Sequence, residues 1–399
     1  MTDRTGDEVL IVGGGIGGLA AALALSQAGV SSRILEQASR FGEIGAGIQL
    51  GPNVFAMFDR LGLRGRMAQN AVFVDSLVMM DALSGEQITR VPLDAAFREQ
   101  FKNPYAVLHR ADMHGAILDA CRESPRIELQ HSSPVTAIED RGGRVQVTVG
   151  ADQGSTVLEG AALIGADGLW SRTRAHLFGD EKPRVSGHVA YRAVLPADEF
   201  PGDLRWNSAV LWAGPRNHLV HYPLRNGELI NIVAVFHADT YVEGWNEPGD
   251  RDLLMRRFEA VDRQPMSILE RVSDWRMWVL CDREPVSVWS RGPVTLLGDA
   301  AHPMLQYFAQ GACMAMEDAV CLADKVAASD SDFTAAFKAY EQARYLRTGR
   351  VQLMARFLGD IYHAQGVARE LRNQMLGQRT PQQANDGLAW LYGGPNFRG

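Results

Sequence analysis

The sequence has no run of about 18 uninterrupted apolar residues, so no segment reads as a membrane span. It has only four cysteines in 399 residues, and Cys121, Cys281, Cys313 and Cys321 form no C-x-x-C pair. That sparse pattern excludes a disulfide framework and a thiolate metal centre; it reads as reduced thiols, with no metal expected. Positive charge is also short, since 40 Lys and Arg face 47 Asp and Glu for a formal net charge of −7. A surface of that sign repels a phosphate backbone, which argues against nucleic acid as a partner. The opening MTDRTGDEVLIV lacks the charged start, apolar stretch and small-residue cleavage site of a secretory signal. A cytoplasmic protein is expected.

What is present is an ordinary globular composition, 46% hydrophobic with 40 glycines, long enough for two or three domains. Near the start, the apolar run EVLIV stops at GGGIGG, the alanine-rich LAAALALSQA follows, and SSRILEQ reads as a second strand. Strand, turn, helix and strand within about 30 residues make a βαβ unit. Gly13, Gly15 and Gly18 have the G-x-G-x-x-G spacing that turns the chain tightly and lets a pyrophosphate approach the backbone. The phosphates would sit at the N-terminus of the helix that follows, with Ile16 of the loop beside them, where free N–H groups and the helix dipole favour an anion. Glu36 follows Gly13 by 23 residues, ends the second strand beside Gln37, and can accept hydrogen bonds from a ribose diol. These residues predict a dinucleotide site without choosing between NAD and FAD.

From Gly187 to Phe236 the style changes to short alternating stretches, HVAYRAVL, SAVLWAG, NHLVHYPL and LINIVAVF, the signature of an antiparallel sheet. In NHLVHYPL, period-two alternation puts His218, Val220 and Tyr222 on one face and Leu219 and His221 on the other. The first face offers a base, an apolar contact and a hydroxyl donor, suited to the wall of an aromatic pocket. If the face is reversed, His221 takes the place of His218; a strand histidine satisfied by neighbouring backbone is the plain alternative. The parallel style returns with VTLLG, and from Gly311 onward the chain reads as helical.

Two further strings, GADGLWSRTR with Asp167 and LLGDAAHP with Asp299, stand in order behind the glycine loop. In these three fingerprints the chain resembles the single-component FAD-dependent aromatic hydroxylases typified by 4-hydroxybenzoate hydroxylase. The resemblance implies an α/β fold: an FAD-binding Rossmann-like domain of the GR2 type, interrupted by a mainly antiparallel substrate sheet, with a helical C-terminus. It divides the chain into an FAD-binding part (1–74, 101–184 and 275–345), a sheet part (75–100 and 185–274) and a C-terminal helical segment (346–399). It assigns Asp299 to the ribityl chain, Asp167 to the pyrophosphate and the nicotinamide, and Arg110, in LHRADMHGAI, to the flavin phosphates. Val135 joins them on the cofactor wall.

A separate physical argument favours Gly311 and Ala312 as backbone contacts of the flavin ring. A helix N-terminus aimed there stabilises negative charge on the reduced form. On that helix Glu317 and Asp318 read as a solvated or capping face, and His302 reads as structural.

The resemblance also implies the reaction. Reduced flavin transfers one atom of dioxygen to an electron-rich ring, and a base that removes a phenolic proton speeds the transfer. His218 takes that role, Gln306 hydrogen-bonds the phenolic oxygen, and Tyr105 either orients a substrate carboxylate or merely packs. Other family members often carry proline near Gln306, so this departure bears on substrate choice. No second glycine loop appears, so nicotinamide binds transiently; NADH is preferred over NADPH, and a homodimer is expected from the family.

The strings YPLRNGELINIVAVF, LCDREPVSVW and HPMLQYFAQGACMAMEDAVCLAD resemble the branch that converts 3-hydroxybenzoate to 2,5-dihydroxybenzoate (gentisate). Salicylate and 6-hydroxynicotinate are the alternative substrates. A non-oxygenating flavin sensor and a plain NAD dehydrogenase are the alternatives of another class.

Overall fold

The run VLIV forms a fully buried strand, Val9–Val12, at the centre of a six-stranded sheet. Ala162–Gly165 and Ser32–Leu35 flank it in parallel, with Val294–Leu296 and Ile127–Gln130 beyond them. The edge pair Ser290–Arg291 with Val294–Leu296 is antiparallel. A parallel sheet covered on both faces needs strands apolar on both sides, which is why this one reads as a continuous apolar run. The computed structural model describes residues 8–42, 46–150, 154–179, 181–238, 245–330 and 332–395. The opening stretch 1–7 and the last tail residues 396–399 lie outside them.

The helix Ile16–Gln27 is buried from Leu19 through Leu25, so it has no polar face to show solvent. Its alanines favour helix and keep the side chains short where it packs on the helix Gly311–Ala327. Two glycines make the entry possible. Gly13 has φ +104°, and a Cβ there would stand 2.4 Å from the Ala166 carbonyl oxygen. A Cβ on Gly18 would stand 2.0 Å from the carbonyl oxygen of Gly13. The first and third glycines of the loop are thus demanded by backbone approach.

The second sheet has eight strands, in the order Trp245–Pro248, Arg276–Asp282, Arg184–Pro196, Leu229–His237, Asn217–Leu224, Ser208–Gly214, Ser76–Asp81 and Gln87–Pro92. All pairs are antiparallel except Ser208–Gly214 with Ser76–Asp81. One face packs on the helices Arg251–Arg257 and Arg263–Glu270 through Trp212, Leu219, Ile232 and Phe236. The other face looks toward the FAD-binding domain.

Two features depart from the expected division. Arg276–Asp282 pairs with Arg184–Pro196, so the sheet reaches past residue 274. The helix Phe333–Tyr362 runs unbroken through residue 345, where no glycine or proline interrupts it. This 30-residue helix, about 45 Å long, ties the two parts together. Near its start Tyr340 donates to the Leu296 carbonyl at 3.2 Å; near its end Ala355 packs in the cluster of Ala190, Val233 and Val235.

Glu317 and Asp318 correct the sequence reading. Both are wholly buried, not a solvated or capping face. Arg344, also buried, donates to Glu317 at 2.6 Å and to Asp318 at 2.7 Å, and Arg347 adds two bonds of 2.7 Å to Glu317. The partner charges lie one helix further along the chain, so nothing local betrays the pairing. Burial alone would raise the Asp318 carboxyl, but His302 at 2.6 Å and Arg344 hold it down at about 2. Among the described residues no helix is long and apolar enough to cross a membrane.

Candidate active site

Between the two sheets lies one cavity of about 1220 Å³. Its FAD-domain wall carries Gly13, Gly15, Ile16, Glu36, Gln37, Arg110, Val135, Asp167, Asp299, Gly311 and Ala312. The sheet wall carries His218, Val220 and Tyr222, and Tyr105 and Gln306, from segments outside the eight-stranded sheet, line the same cavity. Of the residues expected at the site, Gly18 alone stands behind the wall, where it packs on Gly13.

Two helix N-termini open into this cavity. Ile16–Gln27 begins at Gly15 and Gly311–Ala327 at Gln310, and neither has a side-chain cap. Their first N–H groups are therefore available to an anion. Glu36 is already engaged, accepting from the Gly14 N–H and the Ala38 N–H at 2.8 Å each. Asp167 is engaged too: it accepts from the Ser171 hydroxyl at 2.5 Å and from the Thr173 N–H and hydroxyl at 3.0 and 3.1 Å. It reaches the cavity as the anchor of its own turn. Asp299 is exposed between buried neighbours, on the short turn Gly298–Ala300 facing the cavity. A cavity with a glycine loop and two uncapped helix starts fits a dinucleotide carrying a ring that becomes anionic on reduction.

The sheet wall has a defined register. His218, Val220 and Tyr222 pair with Val235, Val233 and Asn231, which pair in turn with Ala190, Arg192 and Val194. His218 therefore faces the cavity, and His221 faces away among Phe200 and Trp212, at ring separations of 5.1 and 6.5 Å. Of the two histidines, His218 is the one on the sheet face that meets the FAD domain. Burial, with a smaller contribution from His188, pushes the His218 imidazole down to about 3.

His218 Nδ1 is 2.7 Å from His363 Nε2, and His363 Nδ1 is 3.0 Å from His237 Nε2. His188 packs on the group, its ring 4.1 Å from His237 and 5.0 Å from His363, and its Nδ1 is 2.6 Å from the Tyr307 hydroxyl. The sequence reading missed this cluster, because His363 lies 145 residues from His218, just past the end of a helix that gives no sign of where it packs. Tyr105 donates to Gln49 at 2.6 Å and packs on Tyr392 at a ring separation of 6.2 Å, which commits its hydroxyl to the protein. Gln306, which lines the cavity, accepts a hydrogen bond from Arg192 through its side-chain oxygen, and its N–H₂ remains a donor. Arg192 was also missed, although a charged residue within the alternating apolar run HVAYRAVL was a visible signal.

Residues 7–352 match the family described as FAD binding domain. The chain belongs to this FAD-binding family. Within it, the chain is 47% identical to the 3-hydroxybenzoate 6-hydroxylase of Polaromonas naphthalenivorans, over 98% of each chain. It is 45% identical to 3-hydroxybenzoate 6-hydroxylase 1 of Aquipseudomonas alcaligenes, over 97% of this chain and 98% of that one. Among solved structures, Klebsiella pneumoniae HpxO complexed with FAD and uric acid is similar with a TM-score of 0.83 and 27% identity, covering 97% of this chain and 96% of that one. The chain is a single-component FAD-dependent aromatic hydroxylase.

Proposed function

We propose that this hydroxylase converts 3-hydroxybenzoate to 2,5-dihydroxybenzoate, with NADH as reductant and dioxygen as oxidant. The observation that carries the reading is His218, buried and neutral, on the cavity wall opposite the dinucleotide loop. FAD bound in the cavity supplies electron storage and the activation of dioxygen. The chain's own residues prepare the ring. His218 Nε2 accepts the phenolic proton when Nδ1 donates to His363, and the same orientation makes His363 Nδ1 the donor to His237. A proton entering at His218 is therefore passed along ring nitrogens toward the half-exposed His237, and no charge has to rest on an imidazole held near 3. The Gln306 amide donates to the oxygen left behind, Val220 and Leu211 line the floor beneath the ring, and Tyr222 stands beside them. Burial keeps the Tyr222 hydroxyl protonated, so it acts as a donor.

The chain has no second glycine loop, which supports a nicotinamide that reduces the flavin and leaves. Two further parts of the reading are a homodimer and a cytoplasmic setting. Leu346, Leu353 and Phe357 expose an apolar stripe on Phe333–Tyr362, and Val367, Leu371 and Met375 expose another on Val367–Gly377. A second copy covering these faces would bury them. The free cysteines and a nicotinamide reductant fit a reducing compartment.

The test is NADH oxidation and product identity across a panel holding 3-hydroxybenzoate, salicylate and 6-hydroxynicotinate. One equivalent of 2,5-dihydroxybenzoate per NADH with the first, and uncoupled or absent turnover with the others, is expected. Turnover of another ring acid in its place removes the substrate assignment. Flavin reduction with no hydroxylated product from any of them removes the oxygenase.

A further inference from the structure

The cavity contains a cation that no carboxylate among the described residues neutralises. Arg192 projects from the strand Arg184–Pro196 in register, through Val233, with Val220. It therefore leaves the sheet on the face that carries His218 and Tyr222, one row between the two and two strands to the side. Its side chain lines the cavity. Nη2 donates to Gln306, the guanidinium carbon stands 5.3 Å from the Trp278 ring centroid, and Nε is buried with no hydrogen-bond partner. Among the described residues no carboxylate pairs with it.

The contrast with the buried arginines is informative. Arg344 has Glu317 and Asp318, Arg372 has Asp81, and Arg174 has the carbonyls of Ala300 and Ala301. A guanidinium stays protonated in proteins, and burial without an anion disfavours it. Burial does pull Arg192 down, to about 10, which leaves it charged at neutral pH. The neutral Gln306 oxygen and the Trp278 face compensate only part of that charge. What is missing is an anion on the cavity side.

We infer that Arg192 anchors the carboxylate of the ring acid, through the guanidinium edge that Gln306 does not occupy. This rests on the proposal that the substrate is a phenolic acid, and deepens it. His218 and the Gln306 amide take the phenolic end, Arg192 takes the carboxylate, and one benzene ring spans the two. Gln306 belongs to both ends: it accepts from Arg192 and donates to the phenolic oxygen, so the guanidinium also positions the amide. Placement on the eight-stranded sheet separates Arg192 from Arg110, which stands on the FAD-domain wall. Arg192 is thus a specificity-determining residue that selects acids over neutral phenols of the same shape.

The experiment uses the FAD-loaded enzyme and follows the flavin absorbance while 3-hydroxybenzoate or the neutral, nearly isosteric 3-hydroxybenzamide is added. Wild type is expected to bind the acid about 100-fold more tightly than the amide, the scale of a charge-assisted bidentate contact. Arg192→Met should lose most of that factor for the acid and change affinity for the amide by less than about threefold. Arg192→Lys should recover part of it, because the charge returns without the fork. Flavin content and melting temperature of each variant are measured alongside. Equal weakening of acid and amide, unchanged acid affinity in Arg192→Met, or loss of FAD from both variants overturns the assignment. A wild-type enzyme whose flavin spectrum responds to no hydroxybenzoate overturns the phenolic-acid reading itself, a distinct result.

Discussion

His218 Nδ1 lies 2.7 Å from His363 Nε2, so the imidazole that faces the cavity is oriented by a residue near the C-terminal end of the long helix. That contact sets which nitrogen of His218 meets a ligand. His363→Leu should lower hydroxylation about tenfold or more while leaving ligand affinity within a few-fold; His363→Gln, which can still accept from Nδ1, should retain more. His218→Ala should cost about 10² to 10⁴ in the hydroxylation step and divert reducing equivalents to hydrogen peroxide. Single-turnover oxidation with product quantification checks both, and normal product yield in His218→Ala across the pH range would remove it from the mechanism.

Stability should depend on pH in a window that the histidines define. His218 and His221 are held near 3 by burial and titrate near 6.5 in an unfolded chain. Below about 6.5 the unfolded state binds protons that the folded state refuses, so stability falls as pH falls. Each histidine adds a slope approaching about 1.4 kcal/mol per pH unit. Glu317 and Asp318 are shifted downward, so their contribution persists through this window and is lost only below about pH 4. His221 lies on the face away from the cavity, with Nε2 unpartnered. Replacing it by leucine should flatten the decline between pH 6 and 4.5 by about one proton; chemical denaturation at several pH values measures this, and an unchanged slope would contradict it.

The buried ion network should behave as a unit. Arg344→Met strands Glu317 and Asp318 and should destabilise the protein by about 3–5 kcal/mol. Glu317→Gln leaves Arg344 with Asp318 and should cost less. If thermal unfolding ranks the two the other way, Arg344 is not the centre of the network.

Gly13→Ala tests the loop. The new Cβ would collide with the Ala166 carbonyl at a φ that alanine avoids. The expected result is protein that retains roughly a tenth or less of its flavin, read from the ratio of flavin to protein absorbance. Full flavin occupancy would mean the loop relaxes.

The exposed stripe on the long helix gives a test of assembly. Leu353→Glu with Phe357→Glu puts two charges on the face read as a subunit contact. Wild type should measure as a dimer by light scattering and the double variant as a monomer, with flavin retained; identical masses for both would remove this face as the contact.

How much of this was readable in advance follows from the range of each interaction. The glycine loop, its strand and helix, Glu36, and the alternation that puts His218 opposite His221 are consequences of neighbours a few residues apart. Backbone geometry and side-chain period write them directly into the sequence. The resemblance placed Asp167, Asp299 and Gln306 at the site, but not that Asp167 is tied to Ser171 and Thr173, or that Gln306 is held by Arg192. Pairing across the fold decided the rest. Which face of the strand carries the cavity, why Glu317 and Asp318 are interior, and how His363 comes to hold His218 depend on contacts between residues 26 to 145 positions apart. A charge inside an apolar strand was visible at Arg192; that no carboxylate among the described residues answers it became visible only when the two sheets closed around it.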